Sequence, residues 1–240
     1  KYQQRTGGTM ESIIAIDDYA GMTFWLVTAA MLAATVFFFL ERFDVEGKWR
    51  TAVTVAGLVC GIAFWHYLYM RGVWISTGDS PTVYRYIDWL ITVPLQIVEF
   101  YLILAAVTAV KARLFWELLI ASLVMLIGGY LGETEIINTT AGFIIGMAGW
   151  VYIVYLIFAG DAAKINAKSK NAASQMAFNA MKYIVTVGWA IYPIGYAVTY
   201  FGSGDSETLN IIYNLADFVN KIAFGLVIWY AAKKDSKVFK

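Results

Sequence analysis

The chain has 240 residues, 60% of them hydrophobic and 15% charged, with a net charge of +1. Adding its 20 glycines brings the apolar share to about 68%, against about 45–50% in soluble domains, which excludes a soluble or disordered chain. One cysteine and three prolines exclude a disulfide scaffold, a cysteine-rich metal site and a collagen-like repeat, and near-neutral charge gives no field for nucleic acid.

What remains is an integral membrane protein, so the first question is how often it crosses. A spanning helix needs about 20 mainly apolar residues. In chain order the runs are Tyr19–Leu40, Thr51–Met70, Tyr86–Val110, Leu114–Leu131, Thr139–Gly160, Tyr183–Gly204 and Leu209–Ala232. Each is too long and too continuous for a porin strand. The expected fold is all-α, one domain built as a seven-transmembrane helix bundle. Between the spans lie short connections: charged Glu41–Arg50, a Gly/Asp/Pro turn at Thr77–Pro81, and polar Asp161–Asn171. Ser80 reads as an N-cap with Pro81 at the first helical position. Residues 1–16 lack the apolar core of a signal peptide.

Lys and Arg counts set the expected orientation. Twelve lie on the side of the first, third and fifth connections and the C-terminal tail, and three on the other side. The C-terminus is therefore expected in the cytoplasm and the N-terminus outside.

Ionisable groups inside a span are costly and mark function by default. The third span carries Arg85, Asp88, Thr92 and Glu99 at spacings that keep them near one face. Asp88 and Glu99 are separated by roughly 16 Å of rise, with Asp88 towards the outside. The seventh span carries Tyr213, Asp217 and Lys221 at successive i, i+4 steps, with Lys221 near mid-membrane. Arg85 and Lys221 can balance Asp88 and Asp217 in a four-charge outer cluster, while Glu99 is left in an apolar stretch that keeps it neutral. Two readings stay open. The charges can be a structural ion pair with Glu99 as an interhelical hydrogen-bond donor, or together they can form a proton relay. Pro94 and Pro193 permit kinks, and aromatics such as Trp89, Trp189 and Tyr192 are either packing or the walls of a cavity beside the lysine. Such a cavity would suit a long conjugated aldehyde.

The segments Arg85-Tyr-Ile-Asp-Trp-Leu-Ile-Thr-Val-Pro-Leu-Gln-Ile-Val-Glu-Phe-Tyr101, Gly188-Trp-Ala-Ile-Tyr-Pro193 and Tyr213-Asn-Leu-Ala-Asp-Phe-Val-Asn-Lys221 resemble microbial rhodopsins, and more narrowly the proteorhodopsins of bacteria. The resemblance runs over all seven spans, including Phe64-Trp-His-Tyr67 and Arg71-Gly-Val-Trp74. It implies all-trans retinal bound to Lys221 as a protonated Schiff base, with Asp88 as counterion and proton acceptor. Asp217 would be the second counterion, Arg85 the cation holding the outer cluster, and Glu99 the inner proton donor. Asp88, Thr92 and Glu99 match the family's motif for outward proton pumps. Gln96 matches its blue-tuning position. The family pocket further implies Trp89, Met125, Trp150, Trp189, Tyr192 and Pro193 as contacts.

His66, the only histidine, is by itself a buried histidine like any other. In the family it pairs with the acceptor carboxylate and meets a tryptophan of the adjacent subunit, matching Trp25. Family members form pentameric or hexameric rings through charges in the first loop, where this chain has Phe43 within Glu41-Arg-Phe-Asp44. The implied function is a light-driven outward proton pump in the bacterial inner membrane, working with protons and the lipid bilayer and using neither metal nor nucleic acid. The alternative is a slow-cycling photosensor acting through a partner protein. A non-photochemical transporter or receptor and an enzyme fit less well, since no substrate route or nucleotide motif is apparent.

Overall fold

The computed structural model describes residues 13–238, so the reading of the N-terminal segment lies mostly outside the described residues. The chain runs through α1 (Tyr19–Glu41), a 3-10 turn (Arg42–Asp44), α2 (Gly47–Thr77), α3 (Thr82–Ala105), α4 (Ala112–Glu133) and α5 (Thr139–Phe158). It continues through α6 (Asp161–Lys168), α7 (Ala172–Tyr183), a π turn (Ile184–Gly188), α8 (Ile191–Tyr200) and α9 (Ser206–Asp235). Among the described residues six helical stretches are long and apolar enough to cross a membrane. The remaining crossing, sixth in order, is assembled from α7, the π turn and α8. The result is the expected seven-helix bundle.

Four helix starts are set by side chains that accept otherwise unpaired N–H groups. Asp18 accepts from Gly21 N at 2.7 Å, Asn138 from Ala141 N at 3.1 Å, Asn171 from Ser174 N at 2.8 Å and Asp205 from Thr208 N at 2.8 Å. Ser80 is not such a cap. Helix α3 begins one residue later than expected, with Pro81 itself in the flanking position and Ser80 Oγ directed to Asn210. The left-handed turn after α2 is taken by Gly78 at φ 72°, a conformation that costs glycine little.

Several further boundaries differ from the apolar runs, α2 among them, which covers Gly47–Thr77 where the expected run is Thr51–Met70. Helix α3 stops at Ala105 rather than Val110, because Val107 and Thr108 both donate to Leu104 O and turn the chain. The connection Asp161–Asn171 is largely helical. Asp161 in the first turn and Lys168 in the last complement the helix dipole, and Ala162 and Asn166 supply a buried face. The sixth crossing begins at Ala172, well before Tyr183, because the polar stretch ahead of the apolar run is helical too.

Helices α4 and α5 pack with their backbones nearly in contact. A Cβ on Gly142 would stand 2.5 Å from Gly132 Cα, and one on Gly149 would stand 2.7 Å from Met125 N. Small residues permit such approach where no hydrophobic drive exists between helices in lipid. At one end of the bundle Lys233 joins Glu41 at 2.6 Å and Asp44 at 3.1 Å, while Asp235 takes Lys48 at 2.7 Å and Trp49 Nε1 at 2.8 Å. The start of α2 and both chain-distant helix ends are thereby fastened together.

Candidate functional site

Helix α3 turns Arg85, Asp88, Thr92, Gln96 and Glu99 to its buried side, and α9 does the same with Tyr213, Asp217 and Lys221. The periodicity that places these residues on one face is that of the helix itself. Lys221 Nζ lies 2.9 Å from Asp88 Oδ2 and 2.9 Å from Asp217 Oδ2, with all three side chains essentially inaccessible. A buried charge needs partners of this kind.

The two carboxylates differ in their surroundings. Asp217 also accepts from Tyr67 Oη at 2.8 Å, Tyr192 Oη at 2.7 Å and Trp89 Nε1 at 3.2 Å. Asp88 Oδ1 has no hydrogen-bond partner among the described residues and lies 3.5 Å from His66 Nδ1. The Nδ1 of His66 also lies 3.0 Å from Ile62 O. The Thr92 hydroxyl donates to the Asp88 backbone carbonyl at 3.0 Å rather than to its carboxylate.

The four-charge cluster is only partly formed. Lys221 joins both carboxylates, but Arg85 has no carboxylate within ion-pair distance among the described residues. Arg85 donates instead to Asn210 Oδ1 at 2.7 Å, Asn214 Oδ1 at 2.9 Å and Tyr67 Oη at 3.1 Å. Neutral acceptors on α9 therefore hold it, and the Tyr67 hydroxyl bridges it to Asp217. Glu99 stands apart, buried, with neither carboxyl oxygen bonded among the described residues.

An apolar cavity reaches Lys221 and Asp217. Its walls include Trp89, Met125, Trp150, Trp189, Tyr192, Pro193 and Tyr213, so every aromatic and apolar contact expected from the sequence borders one space. Gln96 lines it as well, and its Nε2 lacks a partner among the described residues. Apolar walls with a few converging polar groups are the usual form of a small-molecule site. Trp25 is half exposed, with the Arg71 guanidinium 4.6 Å over its ring, and His66 borders a shallow surface groove.

Tyr67, Asn210, Asn214 and Glu133 take part without having been singled out. The asparagines precede Asp217 by seven and three residues, a spacing that marks the same helix face. Glu133 closes α4, where it accepts from Tyr86 and Tyr213.

A buried lysine between two carboxylates, at the end of a ring-lined cavity inside seven membrane helices, defines a retinal-protein type of site. The chain belongs to the bacteriorhodopsin-like protein family, whose model matches residues 18–235. It is 60% identical to the blue-light absorbing proteorhodopsin of Gamma-proteobacterium Hot 75m4 over 92% of this chain and 89% of that one. It is 59% identical to the green-light absorbing proteorhodopsin of Gamma-proteobacterium EBAC31A08, over 96% of this chain and 91% of that one. The crystal structure of blue light-absorbing proteorhodopsin from Med12 superimposes with a TM-score of 0.81 at 63% identity, covering 91% of this chain and 100% of that one. The protein is thus a bacterial multi-pass membrane protein.

Proposed function

We propose that this protein is a light-driven pump that carries protons outward across the bacterial inner membrane, with retinal joined to Lys221. The residues fit that group. The cavity offers the Lys221 amine at its end, apolar and aromatic walls along its length, and the Gln96 Nε2, which has no hydrogen-bond partner among the described residues. Bound there, retinal supplies light absorption and a change of shape around its polyene.

The chain's own groups supply direction. The unequal satisfaction of the two carboxylates carries this reading. Asp217, with Lys221, Tyr67, Tyr192 and Trp89 all donating to it, serves as the fixed charge. Asp88, with one oxygen unbonded and the other 2.9 Å from Lys221 Nζ, receives the proton that leaves that nitrogen. Glu99 lies 11 residues further along α3, with no hydrogen-bond partner among the described residues, and holds a proton until the lysine nitrogen needs one. Acceptor and donor lie along one helix on opposite sides of the lysine, so a proton cycle through them has a sense. The Lys and Arg bias makes that sense outward, with the C-terminus in the cytoplasm. A carboxyl donor on the inner side favours transport over slow signalling.

Blue absorption is assigned through Gln96, since the relatives of both colours are about equally similar. Arg85 orders the outer half through Tyr67, and His66 modulates Asp88 from α2. Assembly into a ring, with Trp25 facing the His66 of a neighbouring copy, belongs to the same proposal.

The test is to add all-trans retinal, record a visible band, and read external pH under illumination in intact cells. Acidification abolished by a protonophore is expected. Alkalinisation, or the absence of any protonophore-sensitive response, would overturn outward pumping.

A further inference from the structure

We propose that Glu133 is a positioning residue for the outer wall of the cavity, fixing the Trp89 ring against Asp217 through Tyr86 and Tyr213. Glu133 is the last residue of α4 and only 7% exposed, although a carboxyl at a helix end normally reaches solvent. Its Oε1 accepts from Tyr86 Oη and Tyr213 Oη, each at 2.9 Å, and its Oε2 accepts from Tyr200 Oη at 3.3 Å. One carboxyl therefore gathers hydroxyls from α3, α8 and α9 at the end of α4.

Two of those tyrosines lead to the lysine. Tyr86 stands three residues before Trp89 on α3, and Tyr213 stands four before Asp217 on α9. Both rings meet Trp89 edge-on, with centroids 5.1 and 5.3 Å away. Trp89 Nε1 then donates to Asp217, which holds Lys221. Tyrosine rings pivot about their Cβ–Cγ axis but can lean if the hydroxyl is not held; a shared acceptor fixes both at once. The backbone is shaped for this contact. A Cβ on Gly129 would stand 2.7 Å from Tyr86 Oη, so glycine on α4 leaves room for the hydroxyl to reach Glu133.

The requirement is an acceptor rather than a charge, and this separates positioning from electrostatics. Glutamine can accept from Tyr86 and Tyr213 through its oxygen and donate to Tyr200 through its nitrogen. Leucine can do neither and strands two buried hydroxyls.

The experiment compares Glu133→Leu and Glu133→Gln in the retinal-free protein by near-UV circular dichroism, with Trp89→Phe identifying the contribution of Trp89. Glu133→Leu is expected to lose the Trp89 contribution and Glu133→Gln to keep it. With all-trans retinal added, Glu133→Leu should form the visible band at least roughly twofold more slowly, the smallest effect that losing these hydrogen bonds implies, and Glu133→Gln at the original rate. This second arm rests on the retinal reading; if the unsubstituted protein forms no band, that reading fails while the dichroism still decides the role of Glu133. Equal loss in both variants would overturn positioning in favour of charge, and retention of the Trp89 signal in Glu133→Leu would overturn it outright. Should Glu133→Leu not fold, Gly129→Ala and Tyr213→Phe attack the same contact from the other side. Loss of the Trp89 signal in both supports the proposal, and its retention in either overturns it.

Discussion

Arg85 and Asp217 do not touch: the hydroxyl of Tyr67 stands between them, accepting from Arg85 Nη1 at 3.1 Å and donating to Asp217 Oδ2 at 2.8 Å. A buried phenol thus takes the place of a direct ion pair. Tyr67→Phe leaves one guanidinium donor unsatisfied and withdraws a donor from Asp217, which costs about 1–3 kcal/mol for buried groups. Denaturant or thermal unfolding of the protein in detergent should show that loss. Unchanged stability would mean the bridge carries no weight.

The lysine is the shared partner of two carboxylates, each 2.9 Å away. Lys221→Met leaves two buried carboxyls facing each other, and loss of one partner from a buried pair costs about 3–5 kcal/mol. Adding Asp217→Asn to that variant should recover part of the loss. No visible band should form with retinal in either. A single variant as stable as the parent would show that the carboxylates need no cation there.

Asp88→Asn is expected to abolish proton transport and to move absorption to longer wavelength, measured by external pH and by the visible spectrum. Glu99→Gln should leave the band almost in place while slowing the late, proton-returning phase of the photocycle. Time-resolved absorption distinguishes them, and an unaltered late phase would remove the donor role from Glu99.

Gln96 brings to the largely apolar cavity wall an amide whose Nε2 has no hydrogen-bond partner among the described residues. Gln96→Leu removes a dipole of nearly the same volume, so absorption should move to longer wavelength with little change in stability. An unmoved maximum would leave Gln96 as packing only.

Outside the membrane spans, Asp205 caps α9 by accepting from Thr208 N, and that bond holds its carboxyl below the usual carboxylate range. A lowered folded-state value favours the folded protein once the pH exceeds the unfolded value, and the benefit fades as pH falls through the folded one. Asp205→Ala should therefore lower the melting temperature at neutral pH and do so less in acid. Equal losses at both pH values would show that the effect is not the cap's ionised form.

The membrane makes some of this architecture plain in the residues and hides the rest. Charge is scarce in a span, so Arg85, Asp88, Glu99, Asp217 and Lys221 stand out against their neighbours, and helical spacing alone places them on buried faces. Neutral polar residues carry no such contrast. Asn210 and Asn214 are ordinary at the head of a helix, yet their oxygens decide where the Arg85 guanidinium lies. Glu133 sits where an apolar run ends and reads as a boundary, because only the fold brings Tyr86, Tyr200 and Tyr213 around it. Uncharged runs also misjudge lengths: the helical turns beyond α5 and before the sixth crossing are polar, and hydropathy does not see them.

The π turn at Ile184–Gly188 bears on the parity of the chain. Count unbroken apolar helices alone and there are six among the described residues, an even number that would return the start of the first helix and the end of the last to one side of the bilayer. The interrupted crossing makes the number odd and sends the ends to opposite faces. Two side chains complete that interruption: Trp150 Nε1 donates to Val185 O and Asn220 Nδ2 to Gly188 O, each at 3.0 Å. Lipid could not satisfy carbonyls released from a helix's own ladder. The face on which everything after the interrupted helix emerges follows from whether that helix spans, and an indole and an amide bond two of its carbonyls where lipid could not.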